Sequence, residues 1–178
     1  MPCDVYDTKE KTWRHLNFFQ HACYLHCRVP RIQKKTADCL PILLCDRAGT
    51  EVAAVHGGWK GLSQGIIQNA LSRFHSLPQD IFAWLGPAIG PSHFEVGDDV
   101  RNPFIRLDSE LAKAFLRSSP NHGWMANLHL IATLQLQRLG ITEIFSEQDC
   151  TFDNPSRFYS YRRNNQTGRM ASLIWLNV

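Results

Sequence analysis

Long hydrophobic runs are missing from this 178-residue chain. The longest, Leu40–Cys45 and Leu173–Leu176, fall far short of the ~20 apolar residues that span a bilayer. The polar stretch 1–13 lacks the apolar centre of a secretory signal. Cysteine is too sparse for a disulfide scaffold: six residues at spacings that form no framework point to free thiols in a reducing cytoplasm. Neither sign of charge dominates. The net charge is +3, with +4 in residues 1–35 and −1 in residues 36–178, so the main body has no basic stripe of the kind nucleic acid requires. Repeats and low-complexity tracts are absent as well.

What is present is core material for one domain. Hydrophobic residues make up 44% of the chain, with ten Phe, five Trp and four Tyr, and 178 residues support a single compact unit. Residues 1–35 stand apart. They hold Cys3, Cys23, Cys27, His15, His21 and His26 with no sustained hydrophobic period, and read as an atypical, tail-like N-terminal segment. The spacing His21-x-Cys23-x-x-His26-Cys27 matches no standard zinc motif. From residue 36 to 178 the punctuation is regular.

Leu40–Cys45 reads as a buried strand, Asp46–Gly49 as a turn, and Glu51–His56 as a second strand, together a hairpin. Leu62, Ile66, Ala70 and Phe74 lie on one helical face, which predicts a helix over 61–75. Ile81–Leu85 is a third strand, followed by a rigid loop between Gly86-Pro87 and Gly90-Pro91. Ser109 caps a short helix to Leu116, and a longer helix runs from Met125 to a stop at Gly140. Ile141–Phe145 is a strand. Arg169–Leu176, apolar on both faces, predicts an internal strand. Strands alternating with helices predict an α/β (α+β) domain: a mixed sheet core flanked by helices.

Chemistry concentrates at strand ends. Cys39 precedes the first hairpin strand and His56 ends the second, so antiparallel pairing brings them to one sheet end. Such a thiol and imidazole either bind a borderline metal such as zinc or form a nucleophile–base pair. Taken singly, each is equally at home as a packed thiol and a hydrogen-bonding His. Gly57, Gly58 and Gly61 flank Trp59-Lys60 ahead of the helix. This turn admits close backbone approach to a ligand, and the helix start with Lys60 favours an anion; a plain tight turn is the alternative. Phe158–Arg163 and Thr167-Gly168-Arg169 set three Arg among aromatics, a pattern suited to phosphate or carboxylate beside a stacked ring. Arg162 and Arg163, being adjacent, point to opposite faces if they lie on a strand. Cys150 reads as an ordinary packed thiol and His93 as a loop hydrogen-bonder.

The motifs Thr36–Pro41, Val52–Gly61, Leu85–Pro91, Phe94-Glu95-Val96 and the ending Cys150-Thr151, Phe158–Arg163, Thr167–Ser172 together resemble the laccase-domain family, the YfiH-type proteins once called polyphenol oxidases. The resemblance runs from about Thr36 to Leu176. It implies a purine nucleoside enzyme that phosphorolyses adenosine, inosine and methylthioadenosine and deaminates adenosine. It also implies a zinc or copper site of one Cys and two His, in which Cys39 and His56 match two ligands.

The third ligand's upstream motif has no match among the 38 residues before Cys39, and the family's N-terminal strands are expected to be missing or altered. Two further departures are Lys60 in place of the commoner Arg, and Asn127 in place of a usual Asp. The expectation is therefore a cytoplasmic, zinc- or copper-dependent purine nucleoside phosphorylase and adenosine deaminase, impaired by loss of one ligand His. Cys39 and His56 would be catalytic and metal-holding. Trp59, Lys60, Tyr161, Arg162 and Arg163 would bind nucleoside and phosphate. A homodimer is the expected assembly, since unpaired edges invite pairing. The alternatives are a Cys–His hydrolase, a copper-dependent phenol oxidase and a catalytically inactive interaction protein.

Overall fold

The hairpin read from sequence is the centre of the molecule. The structure, a computed structural model, describes residues 3–7, 12–16, 22–26, 32–119 and 123–176. In chain order the strands are β1 (Cys3–Asp7), β2 (Thr12–Leu16), β3 (Ala22–His26), β4 (Ile32–Thr36), β5 (Leu40–Asp46), β6 (Glu51–Gly57), β7 (Ile81–Leu85), β8 (Glu95–Val96), β9 (Phe115–Arg117), β10 (Trp124–Ala126), β11 (Glu143–Ser146) and β12 (Met170–Ile174). The α-helices are α1 (Trp59–Ser63), α2 (Ile66–Leu71), α3 (Asp98–Leu107) and α4 (Leu128–Arg138). A mixed five-stranded sheet, β11-β7-β5-β6-β3, stands beside a four-stranded one, β12-β4-β1-β2, and a small β8-β10-β9 sheet. This is a mixed α/β domain with helices on one face of its main sheet. The segment 1–35 carries β1–β3 and most of β4, shared between the two larger sheets.

Alternation along β5 and β6 creates two unlike faces. Leu40, Ile42 and Leu44, with Ala53 and Val55, join the large core with Leu62, Ile66, Ile67, Ile131, Ala132 and Leu136 from the helices. Full burial of each Leu or Ile stabilises the fold by about 1.5–3 kcal/mol. On the other face Leu43, Cys45, Val52 and Ala54 meet Ile174 and Leu176. Cys39, Pro41 and His56 continue that second face by the two-residue period of a strand. The turn between the strands is closed by Asp46, which accepts from the backbone N–H groups of Thr50 and Glu51 at 2.7 Å each. Gly49 there has φ +68°, a left-handed conformation natural to glycine.

Several elements differ from the sequence reading. The helix expected over 61–75 is two short ones, because Gly65 has φ +77° between them. The start of α1 therefore belongs to a helix of only five residues, so the positive helix end expected beside Lys60 is weak. Helix α3 was not anticipated: Pro103 lies inside it, and proline is a helix-breaking signal. The short helix begins at Ser109 as a 3-10 turn, but its cap is Asp108, whose side chain accepts from Glu110 N–H. The Met125 helix starts three residues late, at Leu128, because Trp124–Ala126 pair with β8 and β9. Strand β12, expected to be internal, lies at the edge of its sheet; its buried face meets the main sheet through Ile174.

Candidate functional site

Antiparallel pairing sets the site. Leu40 pairs with Gly57 and Pro41 with His56, so one step past the ladder Cys39 lies against Gly58. A side chain at Gly58 would put its Cβ 3.2 Å from Cys39 Sγ and 3.6 Å from His56 Nε2. Both donors thus face one small space that glycine keeps open. Both also line a cavity of about 460 Å³ with Lys35, Asp38, Trp59, Lys60, Phe94, Tyr161, Arg162 and Arg169. That volume lies within the ~300–1,000 Å³ usual for small-molecule sites.

Asp38 organises the walls. It is 8% exposed and holds φ +84°, a backbone conformation that costs a non-glycine residue energy and persists only where the surroundings hold it. One carboxylate oxygen accepts from Thr151 Oγ1 and the other from Arg162 N–H, both at 2.7 Å. Its carbonyl accepts from Ile89 N–H at 2.9 Å. A single residue thereby pins the Gly86–Pro91 loop, the Cys150-Thr151 segment and the Arg162 turn to the bend that carries Cys39 into β5.

The electrostatics are lopsided. Four cationic side chains, Lys35, Lys60, Arg162 and Arg169, line the cavity with one carboxylate, Asp38, and both Asp38 oxygens are engaged. The cavity favours an anion. Arg162 is held in place: its guanidinium donates to the carbonyls of His93 and Glu95 and lies over the Phe94 ring. Lys60 Nζ lies 5.5 Å over the Trp59 ring.

Burial, with the neighbouring Asp38 carboxylate, pushes the Cys39 thiol up to about 11 against a partial pull down from Arg169. A thiol in that state is a poor nucleophile at neutral pH, which counts against the Cys–His hydrolase alternative. It remains a ligand once a metal displaces its proton. Thiolate and imidazole facing a shared space suit zinc or copper, so the pair fits the implied metal. Among the described residues no further His, Cys, Asp or Glu converges with the two to form a three-donor set.

The structure brings six of the seven residues read from sequence to this cavity: Cys39, His56, Trp59, Lys60, Tyr161 and Arg162. Arg163 is not among its lining residues. Its guanidinium donates to the carbonyls of Thr151, Phe152 and Phe158 at 2.7–2.8 Å, so it ties its own loop together. Asp38 has a role that the sequence did not reveal, although it lies inside the Thr36–Pro41 motif, and Arg169, one of the three arginines set among aromatics, lines the cavity. Asn127 sits where a carboxylate was expected, but its side chain caps α4 by accepting from Leu130 N–H. The His21–Cys27 cluster has its side chains outside the described residues. No helix among the described residues is long and apolar enough to cross a membrane.

Comparisons with known proteins give the family and the fold. The family model described as multi-copper polyphenol oxidoreductase laccase matches residues 21–177, beginning upstream of the residue-36 start of the motif resemblance. A Haemophilus influenzae protein named purine nucleoside phosphorylase is 49% identical over 141 residues, covering 79% of this chain and 58% of the relative. The Escherichia coli purine nucleoside phosphorylase YfiH is 48% identical over 143 residues, covering 79% and 57%. The chain thus spans a little over half the length of these curated relatives. A Neisseria meningitidis structure aligns at TM-score 0.86 with 42% identity, covering 89% of this chain and 65% of that one. YlmD from Geobacillus stearothermophilus aligns at TM-score 0.82 with 28% identity, covering 90% and 62%.

Proposed function

The chain belongs to the multi-copper polyphenol oxidoreductase laccase family, and from that premise we propose that its cavity is the site of a purine nucleoside phosphorylase. The supporting observation is one pocket that combines a thiol and an imidazole, aromatic walls and four cations. In phosphorolysis a phosphate oxygen bonds to the sugar carbon as the bond from that carbon to the purine nitrogen breaks. Arg162, already oriented by its own carbonyl partners, holds the phosphate with Lys60 and Arg169, which restricts the motion of the attacking oxygen. Trp59 or Tyr161 stacks on the purine. Cys39 and His56 hold the metal, zinc on donor chemistry with copper as the alternative. When bound it supplies Lewis acidity toward the substrate. With two protein donors among the described residues rather than three or four, zinc is retained substoichiometrically after dialysis, and activity in isolation is low unless zinc is supplied.

Adenosine deamination and methylthioadenosine phosphorolysis belong to the same reading, as do a cytoplasmic setting and a homodimer. The test is incubation of the zinc-supplemented chain with adenosine, with and without phosphate, and separation of the products. Adenine formed only with phosphate supports phosphorolysis; inosine formed without phosphate supports deamination. Cys39→Ser must remove both. Absence of both products at any zinc concentration overturns the proposal.

A further inference from the structure

We propose that His93, Cys150 and Asp153 form a second site, for a borderline transition-metal ion of the zinc class, separate from Cys39 and His56. One donor atom from each of the three lies within 4.8 Å of the other two. Tetrahedral zinc with bonds of ~2.0–2.3 Å places its ligand atoms roughly 3.3–3.8 Å apart, so closure needs shifts of about an ångström. The two outer ligands can make them: the His93 and Asp153 side chains are 31% and 58% exposed, which also leaves an entry path.

The surroundings resemble the outer shell of a metal site. Gly90 N–H donates to Cys150 Sγ at 3.1 Å, a contact that steadies a thiolate. Glycine allows it, since a Cβ at Gly90 would sit 3.1 Å from that sulfur. The His93 ring stacks on Phe152 at 4.3 Å and 20°, which fixes its plane. His93 Nε2 and Asp153 Oδ1 lie 2.5 Å apart. A cation entering between them replaces their contact, and the Cys150 thiol gives up its proton to solvent as the sulfur binds. Three protein donors around one space match the ligand count of zinc sites that keep a fourth position for water.

The placement also gives the ion a consequence. Ala88 bridges to Cys150, Thr151 N–H donates to Ala88 O, and both segments meet Asp38. A metal here clamps the loop that lines the cavity at Ile89 to the Cys150-Thr151 segment, both of them held by Asp38.

The test uses the full chain carrying Cys39→Ser and His56→Ala, titrated with Co²⁺ as a spectroscopic probe. The expected result is one equivalent with a thiolate-to-cobalt charge-transfer band, displaced by Zn²⁺. Adding Cys150→Ser abolishes the band, and adding Asp153→Asn weakens binding by at least ~100-fold, the upper range for loss of even an outer-shell partner. A second measurement serves if that background does not fold. In the unaltered chain Zn²⁺ slows iodoacetamide labelling of Cys150, mapped by mass spectrometry, and Asp153→Asn removes the slowing. A folded double variant without the charge-transfer band, or Cys150 labelling indifferent to zinc, overturns the site. Rapid zinc-independent labelling would identify a reactive thiol instead. Neither readout involves nucleosides, so failure of phosphorolysis leaves this proposal standing, and the reverse also holds.

Discussion

Among the described residues lie two sulfur–imidazole clusters, and they are built in opposite ways. Cys39 and His56 are 17 residues apart and are brought together by one hairpin register. Cys150 and His93 are 57 residues apart, on two loops joined by a single bridge and a few hydrogen bonds. The first cluster has two donors and a cavity; the second has three donors and a half-exposed corner. Local pairing produces a cavity lined by aromatic and cationic side chains. Loop packing produces a set of ligands. Asp38 joins the two regions, since its partners come from both.

At that link one substitution should disturb both regions at once. Asp38→Ala leaves the buried Thr151 hydroxyl and the Arg162 N–H without an acceptor, and the expected loss is about 3 kcal/mol or more, read by urea denaturation. Activity and the clamp at Cys150 should fail together; if only one is lost, the regions are independent. Cys39→Ser should lower phosphorolysis by about 100-fold or more while leaving the urea midpoint and cobalt binding at Cys150 nearly unchanged. Steady-state kinetics beside a cobalt titration checks both.

The two adjacent arginines sharpen the contrast further. Arg162→Ala should raise the KM for phosphate about tenfold, the equivalent of roughly 1.4 kcal/mol. Arg163→Ala should leave that KM alone and cost about 2 kcal/mol of stability, because three carbonyls lose a charged donor. The smallest effect concerns pH. Burial holds the His129 imidazole below its ordinary pKa, against hydrogen bonds to Gly86 and Glu147 that pull it up. The unfolded chain therefore takes up a proton first as pH falls below 6.5. The His129 contribution is complete above that value and is lost toward the lower folded pKa. A urea midpoint that declines from pH 7 to 5, with a shallower decline in His129→Gln, is the expected result.

Legibility followed the range of the interactions. Strands β5, β6, β7 and β11 stood out because short apolar runs were bounded by turn residues, and the Cys39–His56 meeting followed from one antiparallel pairing. Helix α3 did not, because Pro103 reads as a stop. The edge position of β12 did not, because both faces carry apolar residues whichever neighbour is present. Asp38 was visible only as part of a motif: its partners at Ile89, Thr151 and Arg162 are 51 to 124 residues away. Arg163 looked like a phosphate binder because composition records its charge but not the three carbonyls that engage it.

By itself the sequence determined the alternation that gives the main sheet two unlike faces, the turns that end its strands, and the class of donors at residues 39 and 56. Those are properties of neighbours along the chain, set by hydrophobic period and turn chemistry. Only the tertiary structure decided which arginine meets the cavity, what Asp38 holds, and that His93, Cys150 and Asp153 converge. These depend on distant segments docking in one register, and no local pattern encodes that distance.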